Sequence, residues 1–226
     1  KLVKKVFNKV YDKYDLMNDI MSLGTHRMWK KNLVSWVNPS KNNKIIDVAS
    51  GTGDIAKICS ENTERCCDIT CVEPNEKMLS EGRKKLKYLN NLKWVLSSAE
   101  NLPFEDNTFD FYIISFGIRN VSDLKKSLDE AYRVLKNGGR FFCLEFSKVE
   151  NELLQNIYQK YSKIIPIIGK FVAGSEMPYD YLVQSIEKFY NQEEFVKKLN
   201  ESGFANVKYR NLTNGIAAIH SGWKIE

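Results

Sequence analysis

Two carboxylates bracket a glycine turn in the first half of the chain. In IIDVASGTGDIA (45–56) an apolar run reaches Asp47, turns through Gly51 and Gly53 with Thr52 between them, and enters a helix-compatible stretch. Glycines at such a turn permit a tight reversal and close approach of a ligand to bare backbone, and the helix start beyond it offers unpaired N–H groups. Glu73 closes the next apolar run, 22 residues after Gly51. A carboxylate there can accept hydrogen bonds from both hydroxyls of a ribose, or it can serve the N-terminus of the helix that begins near Asn75. Asp47 gains nothing from a pyrophosphate and suits an ammonium group.

GTGDIA also satisfies the dinucleotide pattern G-x-G-x-x-A, so an NAD-type oxidoreductase stays open beside a nucleoside-binding transferase. The position of Asp47 tilts the choice toward S-adenosyl-L-methionine, whose methionine end carries an ammonium group. The third apolar run ends in SSAENLPF (97–104), which sets Ser98, Ala99 and Glu100 where an adenine lies beyond the carboxyl ends of strands; a plain turn before Pro103 is the alternative. A fourth run, FDFYIIS (109–115), passes from Ser115 into Gly117, Arg119 and Asn120. Ser122 or Asp123 suffices to cap the following helix, which leaves Arg119 and Asn120 available to a ligand.

These residues need a parallel sheet to hold them. Residues 44–49, 68–73, 92–97, 109–115 and 139–146 read as strands, with helix-compatible segments near 54–61, 75–88 and 123–136 between them. The last helix sets Leu124, Leu128, Ala131 and Leu135 on one face and is expected to end at a Gly138–Gly139 cap. Strand–helix alternation with nearly continuous apolar strands argues an α/β fold, a parallel sheet covered on both faces. After a helical insertion the rhythm changes to QEEFVKKLNESGF and two β runs, 206–212 and 215–224, joined through Thr213–Asn214. That short connection makes the final strand antiparallel to its neighbour. No repeat, low-complexity tract or linker divides the chain, so 1–226 is read as one domain, with an N-terminal helical cap (1–40) and a helical insertion (147–190).

With 226 residues, 43% hydrophobic and 27% charged, the composition is that of a globular domain, and no apolar run reaches the ~20 residues needed to cross a bilayer. The longest, IIPIIGKFVAG (164–174), is broken by Pro166, Gly169 and Lys170 and reads as a lid segment. A net charge of +6 with scattered lysines suggests a solvated basic surface first and attraction to an anionic membrane second, with no nucleic-acid role. The five cysteines form no C-x-x-C pair and stand far from His26 and His220, which argues against zinc and for reduced core thiols. His26 and His220 read as hydrogen-bonded structural histidines. Because the chain starts at Lys1, a removed N-terminal segment is expected.

Six segments match a known pattern in order and spacing: YDLMNDIMSLGTHRMWK (14–30), DVASGTGD (47–54), NLPFEDNTFDFYIISFGIRNV (101–121), YRVLKNGGRFFCLEFSK (132–148), YDYLVQSI (179–186) and NLTNGIAAIHSGWK (211–224). The chain resembles the ubiquinone/menaquinone biosynthesis C-methyltransferases of the UbiE type, and CLEFS and AIHSGWK look closer to the eukaryotic, mitochondrial members. The resemblance implies a class I methyltransferase (Rossmann-like) fold, a seven-stranded, mostly parallel sheet with an antiparallel last strand and helices on both faces. It implies S-adenosyl-L-methionine as donor and 2-methoxy-6-polyprenyl-1,4-benzoquinol as the acceptor, methylated on ring carbon. Its cofactor positions fall on Thr52, Glu73, Ser98, Ala99 and Ser115. Ser50 departs from a usual glycine, Glu73 from an aspartate, and Ser98 from an aspartate or asparagine.

Methyl transfer to carbon requires an electron-rich ring carbon in line with the sulfonium methyl, and loss of a hydroxyl proton enriches the ring. Arg119, too basic to act as a base, is read as a cation stabilising the phenolate, with Asn120 orienting a ring oxygen. Tyr14 and Asp15 are placed near the methionine end, Asn18 toward the acceptor, and Tyr181 on the acceptor side. The 147–190 insertion is read as the path of the polyprenyl tail, with contact to a peripheral membrane surface. A quinone-biosynthesis protein complex and a homodimer are the protein partners considered. Resemblance places the chain on the matrix side of the mitochondrial inner membrane. The alternative is a non-catalytic structural subunit of such a complex.

Overall fold

The computed structural model describes Asp19, Ser22 and residues 24–149 and 177–226. Seven strands form one sheet: β1 (Lys44–Val48), β2 (Asp68–Val72), β3 (Leu92–Val95), β4 (Phe109–Ser115), β5 (Leu135–Phe146), β6 (Ala205–Leu212) and β7 (Ala217–Trp223). Their order is β3-β2-β1-β4-β5-β7-β6. β1 pairs in parallel with β2 and β4, β2 with β3 and β4 with β5, whereas β7 runs antiparallel to both β5 and β6. The antiparallel last strand thus forms as the short 213–214 connection requires.

Among the described residues the α-helices are α1 (His26–Val37), α2 (Asp54–Asn62), α3 (Glu76–Lys85), α4 (Leu124–Val134), α5 (Met177–Lys188) and α6 (Gln192–Glu201). Two apolar clusters lie on the two faces of the sheet. Trp29 and Leu33 of α1, Ile55 and Cys59 of α2 and Leu182 of α5 pack with Ile45, Phe142 and Leu144. On the other face Leu128 and Ala131 of α4 and Phe195 and Leu199 of α6 pack with Ile46, Tyr112 and Phe141. Alternation along each strand sends neighbouring side chains to opposite faces, which explains the nearly continuous apolar runs of strands covered on both sides.

One expectation fails. The glycines at 138–139 do not cap α4. That helix stops at Val134, Leu135 is already extended and paired with Phe109, and a register irregularity follows before Arg140 pairs with Phe111. Gly138 takes φ +77 inside this irregular strand entry and donates its N–H to the Lys224 carbonyl. Pairing with β4 and with the chain end outcompetes another helical turn.

Among the described residues no helix is long and apolar enough to cross a membrane, and no group of three or more His, Cys, Asp or Glu is placed to hold a metal. Cys59, Cys67, Cys71 and Cys143 are buried free thiols and Cys66 is exposed. His26 is buried against Ser22 and Asp19. His220 is also buried, its Nε2 3.1 Å from the Gln192 carbonyl, and burial lowers its pKa to about 4. Both are structural.

Trp29 ties α1 to the carboxyl ends of the strands. It is fully buried, lies edge-on to Phe146 and tilted on Phe116, and its indole N–H donates to the Thr213 hydroxyl at 2.9 Å. Trp29→Ala removes this packing and leaves a cavity beside the site. Urea unfolding should show a loss of about 3–5 kcal/mol.

Candidate active site

The glycine turn sits at the carboxyl end of β1, an interior strand, and the order of connection reverses between β1 and β4. Such a reversal opens a crevice between the connections of neighbouring strands. Val48 ends the strand, Ala49 takes φ +53, and Gly51 and Gly53 take φ +57 and +85 before α2 starts at Asp54. Ser50 is not among the positive-φ residues, and its N–H donates to the Val72 carbonyl. Serine is therefore conformationally acceptable where the family usually has glycine.

Asp47 points into the pocket beneath this turn, with Ser50, Thr52, Asp54, Ser115 and Lys30 among the lining residues. It is 1% exposed, and one carboxylate oxygen, Oδ2, has no hydrogen-bond partner. Burial raises its pKa to about 8, opposed by the Ala56 N–H and the Lys30 charge and reinforced by Asp54 and Glu73. The hydroxyls of Ser50 and Ser115 are also buried and unpartnered. Three orphaned polar groups converging on one pocket fit a ligand that carries an ammonium group.

Glu73 is buried at the end of β2, one strand away. Oε2 accepts the Gly51 N–H at 2.9 Å and Oε1 the Asn75 N–H at 2.8 Å. Burial raises its pKa to about 7 against those two bonds. Both readings of Glu73 thus have a basis. It braces the glycine turn and the start of α3, and each carboxylate oxygen retains capacity to accept a further hydrogen bond. Asn75, read as cofactor-binding, caps α3 by accepting from the N–H groups of Lys77 and Met78. Ala99 is buried and Ser98 half-buried just past β3, with the Ser98 carbonyl accepting the Asn101 N–H.

Arg119 and Asn120 lie in a short 3-10 turn after β4. Phe116 takes φ +55, a strained conformation for a bulky residue, and its carbonyl accepts Arg119 Nη1 at 2.8 Å and Asn120 Nδ2 at 3.4 Å. Gly117 is required here, since a Cβ would meet the Ala49 methyl at 2.5 Å. Arg119 Nη1 also lies 2.6 Å from Glu145 Oε1, and both side chains are 2% exposed. Burial raises the Glu145 pKa while Arg119 opposes it. The Arg119 charge is thus already matched inside the protein, which the sequence did not show. Asp123, not Ser122, caps α4, accepting the Lys126 N–H.

Tyr181 of α5 donates to Asn120 Oδ1 at 2.9 Å, and Arg119 Nε donates to Ser185 at 3.3 Å. The structure therefore brings Arg119, Asn120 and Tyr181 together. A cleft of about 410 Å³, lined by Ile118, Val121, Leu124, Tyr181 and Phe189 among others, opens beside them. Tyr14, Asp15, Asn18 and the 164–174 segment lie outside the described residues. Sequence reading missed Lys30 and Glu145. A lysine directly after a core tryptophan in α1, and a glutamate inside the apolar run FFCLEF, were the available signals.

A doubly wound sheet with an antiparallel last strand, an acidic pocket under a glycine turn and a carboxylate at the next strand end define an S-adenosyl-L-methionine-dependent methyltransferase. The model of the ubiE/COQ5 methyltransferase family matches residues 1–224, and the chain belongs to that family. It is 52% identical to the ubiquinone/menaquinone biosynthesis C-methyltransferase UbiE of Rickettsia bellii, over 99% of this chain and 93% of that protein. It is 51% identical to UbiE of Brucella suis, over 99% and 86%. Among solved structures it resembles a SAM-dependent methyltransferase of Thermotoga maritima (TM-score 0.70, 20% identity, 98% of this chain and 99% of that one). Phosphoethanolamine N-methyltransferase 2 of Haemonchus contortus, in complex with S-adenosyl-L-methionine, is also similar (TM-score 0.67, 13% identity, 88% and 52%). At these identities the structural matches speak for the fold.

The buried acids make stability pH-dependent. Between about pH 4 and 8 folded Asp47 keeps a proton that the unfolded chain has released, so stability falls as pH rises through that window, and Glu73 adds to the fall up to about 7. Asp47→Asn removes the larger part. Urea unfolding at pH 5, 6.5 and 8 should show a flatter profile and a variant more stable than the native chain at pH 8, by ~1 kcal/mol or more.

Proposed function

We propose that the chain transfers a methyl group from S-adenosyl-L-methionine to a ring carbon of 2-methoxy-6-polyprenyl-1,4-benzoquinol in ubiquinone biosynthesis. C-methylation in quinone biosynthesis rests on family membership and on relatives about 51% identical over nearly the whole chain. The observation that carries the cofactor is the unpartnered carboxylate oxygen of Asp47 beneath the glycine turn. The bound cofactor supplies an electrophilic sulfonium methyl. Asp47 meets its ammonium group, Glu73 its ribose, and the Ser98–Ala99 edge its adenine, with Thr52 and Ser115 closing the pocket. Asn75 acts behind these by fixing the start of α3.

On the acceptor side Tyr181 and Asn120 form a hydrogen-bonded pair that can exchange one partner for a quinol oxygen. Arg119, balanced by Glu145, serves as a fixed array of donors rather than a free cation, and it stabilises charge on the ring oxygen as the hydroxyl proton passes to solvent in the adjoining cleft. The apolar part of the lining of the neighbouring cleft, Ile118, Val121, Leu124 and Phe189, suits the start of the polyprenyl tail. Tyr14 and Asp15 belong to the same proposal on the strength of the family pattern. So do the peripheral membrane surface, a quinone-biosynthesis complex, a homodimer and the matrix side of the mitochondrial inner membrane. Recovery of the chain away from quinone-bearing membranes on subfractionation would overturn that location.

Labelled S-adenosyl-L-methionine with a short-chain demethylated quinol under reducing conditions should place label on ring carbon. Cofactor binding without any transfer supports a non-catalytic subunit instead. In the same assay Arg119→Ala is confounded, because it strands Glu145 and should cost about 3–5 kcal/mol of stability. The double variant Arg119→Met/Glu145→Gln restores most of that stability, keeps S-adenosylhomocysteine affinity and should turn over at least ~10-fold more slowly than native. Native turnover in the double variant reduces Arg119 to a brace for the Phe116 turn.

A further inference from the structure

Lys30 lies on the buried side of α1, next to Trp29 and three and four residues before Leu33 and Val34, all of which are core. Its side chain is only 8% exposed. Long aliphatic stems commonly run along apolar surface while the ammonium reaches water. Here the ammonium reaches the glycine-turn pocket, the same one Asp47 enters. It makes one hydrogen bond, to Asp54 Oδ2 at 2.8 Å, although an ammonium group carries three donors. Asp54 does not depend on it alone, because its other oxygen accepts from Lys85 at 2.9 Å. Burial would raise the Asp54 pKa, yet Lys30 and Lys85 together hold it well below the usual carboxylate range.

The pocket therefore presents a buried carboxylate with an unpartnered oxygen and a buried ammonium with donors to spare. A ligand bearing only an ammonium group satisfies half of this. A ligand end carrying both an ammonium and a carboxylate satisfies both halves and brings no net charge into the site, which avoids leaving either protein group unmatched.

Building on the cofactor reading above, we propose that Lys30 is the carboxylate subsite for the amino-acid end of the methyl donor, so that Asp47 and Lys30 together read a zwitterion. Lys30 reaches the carboxylate with its uncommitted protons while Asp54 stays held by Lys85. Binding then also pins α1 against the glycine turn, since Lys30 becomes a bridge between helix and ligand. Nucleosides without an amino-acid end are disfavoured at the same point.

The test compares two ligands on each protein by calorimetry: S-adenosylhomocysteine and S-adenosyl-3-thiopropylamine, which has the same skeleton without the carboxylate. The native chain should prefer S-adenosylhomocysteine by about 10- to 100-fold, the range of a hydrogen bond between charged groups. Lys30→Met should collapse that preference to less than about threefold, through lost affinity for S-adenosylhomocysteine alone, and Lys30→Arg should keep most of it. Because both ligands are measured on one variant, general loosening of the fold cancels in the ratio, and a thermal melt checks that each variant is folded. An unchanged ratio in Lys30→Met overturns the inference while leaving the cofactor reading intact, and assigns the carboxylate to backbone N–H groups instead. Failure of the native chain to bind either ligand overturns both.

Discussion

The position of β1 between β2 and β4 is the constraint on which the site depends. Parallel pairing brings Asp47 level with Cys71 on one side and Ile113 on the other. The carboxyl ends of all three strands therefore finish along one edge. The chain leaves β1 in one direction and β4 in the other, and the crevice between those exits holds the glycine turn, Glu73 and Ser115. Hydrogen bonds from the turn to the next strand, Gly51 to Glu73 and Ser50 to Val72, keep the crevice edges in register.

Buried charge is the second constraint on the site. Asp47, Glu73 and Glu145 each finish a strand or lie near its end in a setting where ionisation is costly. Each has a different compensation. Glu73 accepts two backbone N–H bonds, Glu145 has an arginine, and Asp47 has neither for its Oδ2 oxygen. The least compensated of the three is the one that faces the pocket, as expected where binding and not stability has selected a side chain.

The acceptor side is organised by backbone strain. Phe116 in a left-handed conformation turns the chain sharply after β4, and Arg119 and Asn120 hold its carbonyl. The same two side chains reach across to Tyr181 and Ser185, so α5 is latched to the turn by polar contacts. A turn that carries both the strain and the latch couples the placement of the acceptor groups to the packing of the helical insertion.

Much of this was legible in the sequence. The strand–helix alternation, the glycine turn after an apolar run and the short connection at 213–214 are local patterns governed by side-chain period and turn chemistry, and they specified the sheet and its antiparallel last strand. The candidate cofactor residues Asp47 and Glu73 follow from being polar groups at the ends of those strands, and Ser115 from the family resemblance. What the sequence left undetermined depends on distance through space. Gly138–Gly139 resembles a helix stop, but pairing with β4 and contact with Lys224 claim that segment for β5. Nothing in local sequence couples Arg119 to Glu145, 26 residues on, or sends Lys30 toward Asp54 and the Asp47 pocket. Those partnerships arise only when parallel pairing and helix packing bring remote side chains into one low-dielectric space, where an unmatched charge must find its opposite.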